Sequence, residues 1–322
     1  MGQQYDHRYV IDCYDPKDWL FSLNDGTEEV HQFTWPVGPF EKNEVSDTIY
    51  HKDEKVGYHQ HSTGYETFFI ARGSVEVTIR GKRCVVNQGD ILHIPPHTAH
   101  GFKHLEEGNV WRELFSQINM SRGIVNKNFI KDHYGKELYD DPAFRERYLR
   151  TTKELMREEP VVTEIPKAQM HEVRTPEFGF SVYELPGLTL RQKIGRWETN
   201  GIKEVWQAVA KKGLRITWDQ PHAEPELYLV AKGSVKLVAM GTEYTVGADS
   251  FIDIPPYAKF SIEALEDGTE VYDCGGSTQL LAMLEDRESI LLSDPSRLDT
   301  KEKAKDFMEK YGCYVTGCDF PG

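Results

Sequence analysis

The chain alternates short runs of β-branched and aromatic residues with glycine and proline, and it does so twice. Residues 66–96 read ETFFIARGSVEVTIRGKRCVVNQGDILHIPP, and residues 226–256 read ELYLVAKGSVKLVAMGTEYTVGADSFIDIPP. The two segments align without a gap at an offset of 160 residues. In the first, the runs 68–71 and 75–79 flank a turn at Arg72-Gly73; in the second, 227–231 and 235–239 flank Lys232-Gly233. Residues of these types suit a pleated, half-buried surface. Pro95-Pro96 and Pro255-Pro256 end strands, because proline has no N–H to give to a ladder. Short strands at regular spacing between glycine turns predict a β-sandwich or barrel. A repeat longer than the roughly 20–50 residues of a solenoid unit predicts a duplicated domain.

Two stretches carry a helical spacing instead. Asp141 is suited to cap a helix that starts at Pro142, with Phe144, Tyr148, Leu155 and Met156 recurring before Pro160, so 127–159 should bridge the copies. A second helix should start near Thr300, place Ala304, Phe307, Met308 and Tyr311 on one face and end at Gly312. Both faces are expected to pack on a barrel. The expected division is a lead-in over 1–39, a first barrel over 40–125 and a helical bridge over 126–185. A second barrel over 186–292 and a C-terminal helix and tail over 293–322 complete it.

The 322 residues are about twice a usual domain, and 39% hydrophobic with 28% charged residues is an ordinary globular balance. No apolar run approaches the roughly 20 residues of a membrane span, and residues 1–15 have no apolar signal core. The net charge of −14, with no basic stretch, argues against nucleic acid as a partner. Five irregularly spaced cysteines (Cys13, Cys84, Cys274, Cys313 and Cys318) do not form a disulfide framework, which points to a reducing cytoplasm. Neither a G-x-S-x-G elbow nor a phosphate-binding glycine loop is present. The partner expected is a small-molecule substrate, with no nucleic acid and no membrane.

The chemistry gathers in Tyr58-His59-Gln60-His61-Ser62-Thr63-Gly64-Tyr65-Glu66. On a strand, His59 and His61 point the same way. Glu66 opens the next strand after a glycine-containing loop and can reach the same point if that strand folds back. His100, four residues after Pro96, can add a third imidazole. Imidazole and carboxylate together suit one divalent first-row transition metal: iron, manganese, nickel, zinc or cobalt. An isolated His-x-His is more often a solvated pair; the glutamate and the proline–histidine segment beside it favour a site. Phe68 and Phe102 share the inward phase of Glu66 and His100, so they line a pocket or simply fill the core. His93, His97 and His104 lie near enough to join it.

These residues resemble the two motifs of the cupin superfamily. The first, G-x5-H-x-H-x(3,4)-E-x6-G, is matched by His59, His61, Glu66 and Gly73; the second, G-x5-P-x-G-x2-H-x3-N, by Gly89, Pro95 and His100. Asp53 replaces the first glycine, His97 the middle glycine of the second motif and His104 its asparagine; none of these changes removes a ligand. The resemblance covers 40–118 and 190–285. It implies an all-β fold of two double-stranded β-helix (jelly-roll) barrels, a bicupin with RmlC-like domains. It also implies a metal held by His59, His61, Glu66 and His100. In the second copy, Asp219, Pro221 and Phe260 stand at the positions of the three histidines. Shortening the loop by one residue pairs His222 with Glu226 and puts Gln220 in the first histidine's place. Phe260 cannot coordinate, so His222 and Glu226 read as a vestigial site.

Three functions follow from the resemblance. The first is a quercetinase-like dioxygenase, an oxidoreductase acting on an enolisable or aromatic compound, with Glu66 also taking a proton and Phe68, His97, Phe102 and His104 around the pocket. The second is a non-redox hydrolase, lyase or isomerase of a carbonyl compound, with Glu66, Tyr65, His97 or His104 moving the proton. The third is a non-catalytic binding protein. The resemblance also implies pairing of barrels through sheet edges, either in a homodimer or between the two fused barrels of one chain.

Overall fold

A computed structural model describes residues 8–24, 28–34, 45–62, 64–116, 129–151, 154–201, 203–219, 225–275 and 278–320. They divide into two units, Asp15–Glu177 and Met1–Tyr14 with Phe178–Gly322. Each is a β-barrel of two sheets, and successive strands of the repeat switch sheets except at the hairpins Ser74–Ile79/Lys82–Asn87 and Ser234–Ala239/Thr242–Gly247, which stay within one sheet.

In the first unit, one sheet runs Glu154–Met156, Lys55–His61, His100–His104, Ser74–Ile79, Lys82–Asn87, Thr163–Glu164. The other runs Val173–Arg174, Ile91–Ile94, Glu66–Arg72, Asn109–Ser116, Ser46–Tyr50, Glu28–Gln32, Phe21–Asn24. In the second unit, the smaller sheet runs Thr242–Gly247, Ser234–Ala239, Phe260–Ala264, Arg215–Trp218, Cys313–Thr316. The larger runs Val10–Asp12, Ser250–Ile254, Glu226–Lys232, Thr269–Asp273, Val205–Ala210, Leu188–Ile194, Val182–Leu185.

The alternation of side chains builds both cores. Val75, Val77 and Ile79 are buried in the first barrel, as are Val235, Leu237 and Ala239 in the second. The turn glycines are required twice over. Gly73 and Gly233 have φ of +86° and +75°, and a Cβ on either would lie 2.5 Å from Asn109 or 2.8 Å from Thr269. The duplication extends past the aligned segment: Tyr50 pairs with Asn109, and Ala210 with Thr269, at the same offset of 160.

The connecting segments differ from expectation. Strands from the lead-in extend a sheet in each unit: Val10–Asp12 pairs with Ser250–Ile254, and Phe21–Asn24 with Glu28–Gln32 continues the first barrel. The bridging helix is short. Lys136–Asp140 and Pro142–Thr151 are helical, but Leu155 and Met156 lie on a strand, because the open edge of Lys55–His61 offers a ladder that a lone helix end cannot match. The expected helix start at Pro142 and the helix over Lys301–Glu309 are present; Thr300 caps the latter by accepting the Lys303 N–H, and Ala304, Phe307 and Met308 are buried. Gly312, at φ +59°, turns the chain just past that helix. The helix Thr278–Ser293 was not expected; it buries Leu280, Leu281, Met283, Leu284 and Ile290. Among the described residues, no helix is long and apolar enough to cross a membrane.

Candidate metal centre

Three neighbouring segments of the first barrel bring His59, His61, Glu66 and His100 together. All four are buried, and one candidate ligand atom from each lies within 4.8 Å of the others. A β-bulge sets the geometry. His59 sits opposite His100, but Val56 sits opposite Phe102, so one strand spends three residues where the other spends two. The extra residue puts Val56 and His59 on the same face, and His61 follows by ordinary alternation.

Backbone carbonyls then aim the rings. His59 Nδ1 donates to Gly57 O at 2.7 Å, and His100 Nδ1 to Thr98 O at 2.8 Å. In a neutral ring so held, Nε2 carries no proton and faces the lumen. His59 Nε2 lies 3.1 Å from His61 Nε2, and His61 Nε2 lies 3.4 Å from Glu66 Oε1. His100 Nε2 and Glu66 Oε2 are 3.0 Å apart, yet neither takes part in an aligned hydrogen bond. Buried nitrogens and carboxylate oxygens this close need a shared proton or a cation between them.

The electrostatics agree with that reading. Burial, reinforced by repulsion from His100, holds the His59 imidazole down to about 3, in the neutral form that a ligand requires. Burial alone would raise the Glu66 carboxyl, but His61 and His100 outweigh it and hold it well below the usual carboxylate range. The group could therefore hold a metal ion, and its nitrogen and oxygen donors suit a divalent first-row transition metal.

The other residues singled out in the sequence fall elsewhere. Phe68 and Phe102 are buried with the indole of Trp111 against both, at centroid distances of 4.5 and 4.4 Å, so the rings fill the lumen beyond His100. His104 lies deeper still, stacked on Tyr50 at 3.9 Å, with burial pushing its imidazole down to about 4. His97 is exposed; its backbone N–H donates to His61 O at 2.8 Å and ties down the end of that strand. His93 is buried and bonds Thr67 Oγ1 at 2.8 Å. Sequence reasoning missed Trp111, whose inward phase on Asn109–Ser116 was the available signal.

The second barrel lacks the bulge. Trp218 sits opposite Phe260 and Ile216 opposite Ile262, in unbroken register. Trp218, rather than Asp219 or Gln220, therefore takes the strand position of His59, and it stacks on Phe260 at 4.5 Å with the planes 11° apart. Asp219 pairs with Lys259 at 2.9 Å on the exterior. Glu226 is buried with the Tyr228 hydroxyl 3.5 Å away. His222, like Gln220 and Pro221, lies outside the described residues.

The Cupin domain family matches residues 47–110, the stretch that holds all four site residues. Solved structures of oxalate decarboxylase share the fold over most of the chain. One, described for a structural element that modulates proton-coupled electron transfer in that enzyme, is 15% identical with a TM-score of 0.50, covering 89% of this chain and 84% of its own. A tryptophan-to-phenylalanine variant from B. subtilis is likewise 15% identical with a TM-score of 0.50, covering 94% and 86%. At this identity the likeness is one of fold. No curated protein sequence matches the chain. The first barrel thus carries a match to the Cupin domain, and the chain shares a two-barrel jelly-roll fold with these structures.

Proposed function

We propose that the first barrel holds one divalent transition metal through His59, His61, Glu66 and His100, and that the protein is a metal-dependent lyase of a small carbonyl compound such as a short dicarboxylate or keto acid. The observation that carries this reading is the convergence of buried imidazole nitrogens on a carboxylate with no aligned hydrogen bond between His100 and Glu66. When bound, such an ion supplies Lewis-acid stabilisation of charge developing on a carbonyl or carboxylate oxygen. The chain's own residues do the rest. The Gly57 and Thr98 carbonyls fix the rings of His59 and His100. Glu66 accepts a proton, and Trp111 between Phe68 and Phe102 closes the lumen beyond His100 and keeps the substrate small.

The fold shared with oxalate decarboxylases supports a lyase over a dioxygenase. A dioxygenase of flat aromatic compounds is the second reading; it rests on Phe68 and Phe102 forming an open wall, and Trp111 occupies that place. The test is a screen of short dicarboxylates, keto acids and flavonols on the metal-loaded chain, following carbon dioxide release and oxygen uptake together. Carbon dioxide release without net oxygen consumption, lost in His61→Ala, is expected. Stoichiometric oxygen uptake with a flavonol would replace the lyase reading by the dioxygenase one. No turnover after reconstitution with any of the five metals would leave a binding protein.

A further inference from the structure

The lumen of the second barrel holds a cavity of about 60 Å³ that the metal chemistry does not use. Leu188, Ala210 and Val271 line it from the larger sheet, and Val235 and Ala264 from the smaller. Leu280 and Leu281, near the start of the helix Thr278–Ser293, complete the wall. Ala210, Ala264 and Val271 stand where the first barrel has Tyr50, His104 and Trp111. The strands that carry them keep the same pairing in both copies, so the backbone frame is retained while the rings that fill it are lost.

The chemistry of this wall selects the ligand. Its aliphatic side chains offer neither charge nor a hydrogen bond. The hydroxyls and the carboxylate among the lining residues are engaged within the protein. Thr269 Oγ1 donates to Glu266 O at 2.9 Å, the Tyr228 hydroxyl lies 3.5 Å from Glu226, and Asp273 Oδ1 accepts the Gly275 N–H at 2.9 Å. A polar or charged guest would lose its hydration against aliphatic walls that cannot replace it. Water gains little there for the same reason, because a buried water needs about two to four polar partners.

An apolar guest, by contrast, restores the van der Waals contacts that atoms facing a void lack. Size sets the rest. One water-sized sphere takes roughly 10–15 Å³ of such volume, so 60 Å³ admits about four to six non-hydrogen atoms. We propose that the lumen of the second barrel is a binding site for a small apolar molecule, a short branched or cyclic hydrocarbon of about four to six carbon atoms, independent of the metal centre.

Methyl-resolved NMR of the full chain, titrated with isobutane, cyclopentane and benzene, tests this. Glycerol is the polar control of similar size, and naphthalene the apolar control that is too large. Saturable shifts of the Leu188, Val235 and Val271 methyl resonances are expected with at least one small hydrocarbon, while those of Val75, Val77 and Ile79 in the first barrel stay in place. Ala264→Val and Ala210→Val each put a larger side chain into the space and should weaken binding about tenfold or more, whereas His61→Ala should leave it unchanged. The proposal is overturned by no saturable shift with any of the three hydrocarbons, by equal binding of glycerol or naphthalene, or by shifts in the first barrel instead. Affinity unaltered in both valine variants, or lost in His61→Ala, would overturn it as well.

Discussion

Where the lumen of the first barrel carries Tyr50, Phe102, His104 and Trp111, the second carries Ala210, Ile262, Ala264 and Val271 at the same offset of 160 residues. Large rings fill the space beyond the histidines in one barrel; in the other, the small residues line a cavity of about 60 Å³. At the ligand level the contrast reverses. The first barrel buries three imidazoles and a carboxylate, and the second covers the corresponding strand positions with the stacked pair Trp218 and Phe260. Outside the lumen, the first barrel buries a bidentate ion pair, Asp47 with Arg112 at 2.8 Å, where the second has Gln207 and Tyr272. Duplication preserved the turns and, apart from the bulge before His59, the register, while side-chain volume and polarity were exchanged. A polar site thus stands on a rigid aromatic floor in one copy only.

The largest effect should come from breaking the buried ion pair. Arg112→Met leaves Asp47 in the interior without its counter-ion and should cost about 3–5 kcal/mol, measured by denaturant unfolding. The lumen exchange can be run in both directions. Trp111→Val should destabilise by about 3 kcal/mol or more through the cavity it opens. In the second barrel Ala264→Val, which fills space, should stabilise by about 0.5–2 kcal/mol; destabilisation there would mean the 60 Å³ cavity is needed as it stands.

Acid should distinguish the barrels as well, because Ala264 stands where the first has His104. Burial holds folded His104 at about 4, below its ordinary value near 6.5. Between those limits the unfolded chain binds a proton that the folded chain does not. The stability of the metal-free protein should therefore fall as pH drops from about 6.5 to about 4, by up to about 1.4 kcal/mol per pH unit from this residue. His104→Gln should lose that residue's share of the dependence and keep the share of His59, which is held at about 3; an unaltered acid limb would show that His104 is not held neutral.

Much of this was legible because it is local. The strand phase of His59 and His61, the glycine loop before Glu66 and the proline turn before His100 each depend on a few neighbouring residues, and together they placed the four side chains. The bulge was not legible. It is a difference of one residue in pairing, which an ungapped repeat hides, and it alone puts Trp218 rather than Asp219 in the place of His59. The strand Glu154–Met156 owes its existence to an unfilled sheet edge, and nothing in three residues announces that. The helix Thr278–Ser293 escaped notice because Leu280, Leu281, Met283 and Leu284 crowd its first half and blur the helical period.

The central claim is that one barrel holds the metal and the other does not. Elemental analysis of anaerobically purified protein tests it most directly, on the unaltered chain, a His59→Ala/His61→Ala variant and Glu226→Gln. The account predicts one transition-metal ion per chain in the unaltered protein and in Glu226→Gln, and none in the double variant. Metal retained by the double variant, or lost from Glu226→Gln, would contradict it.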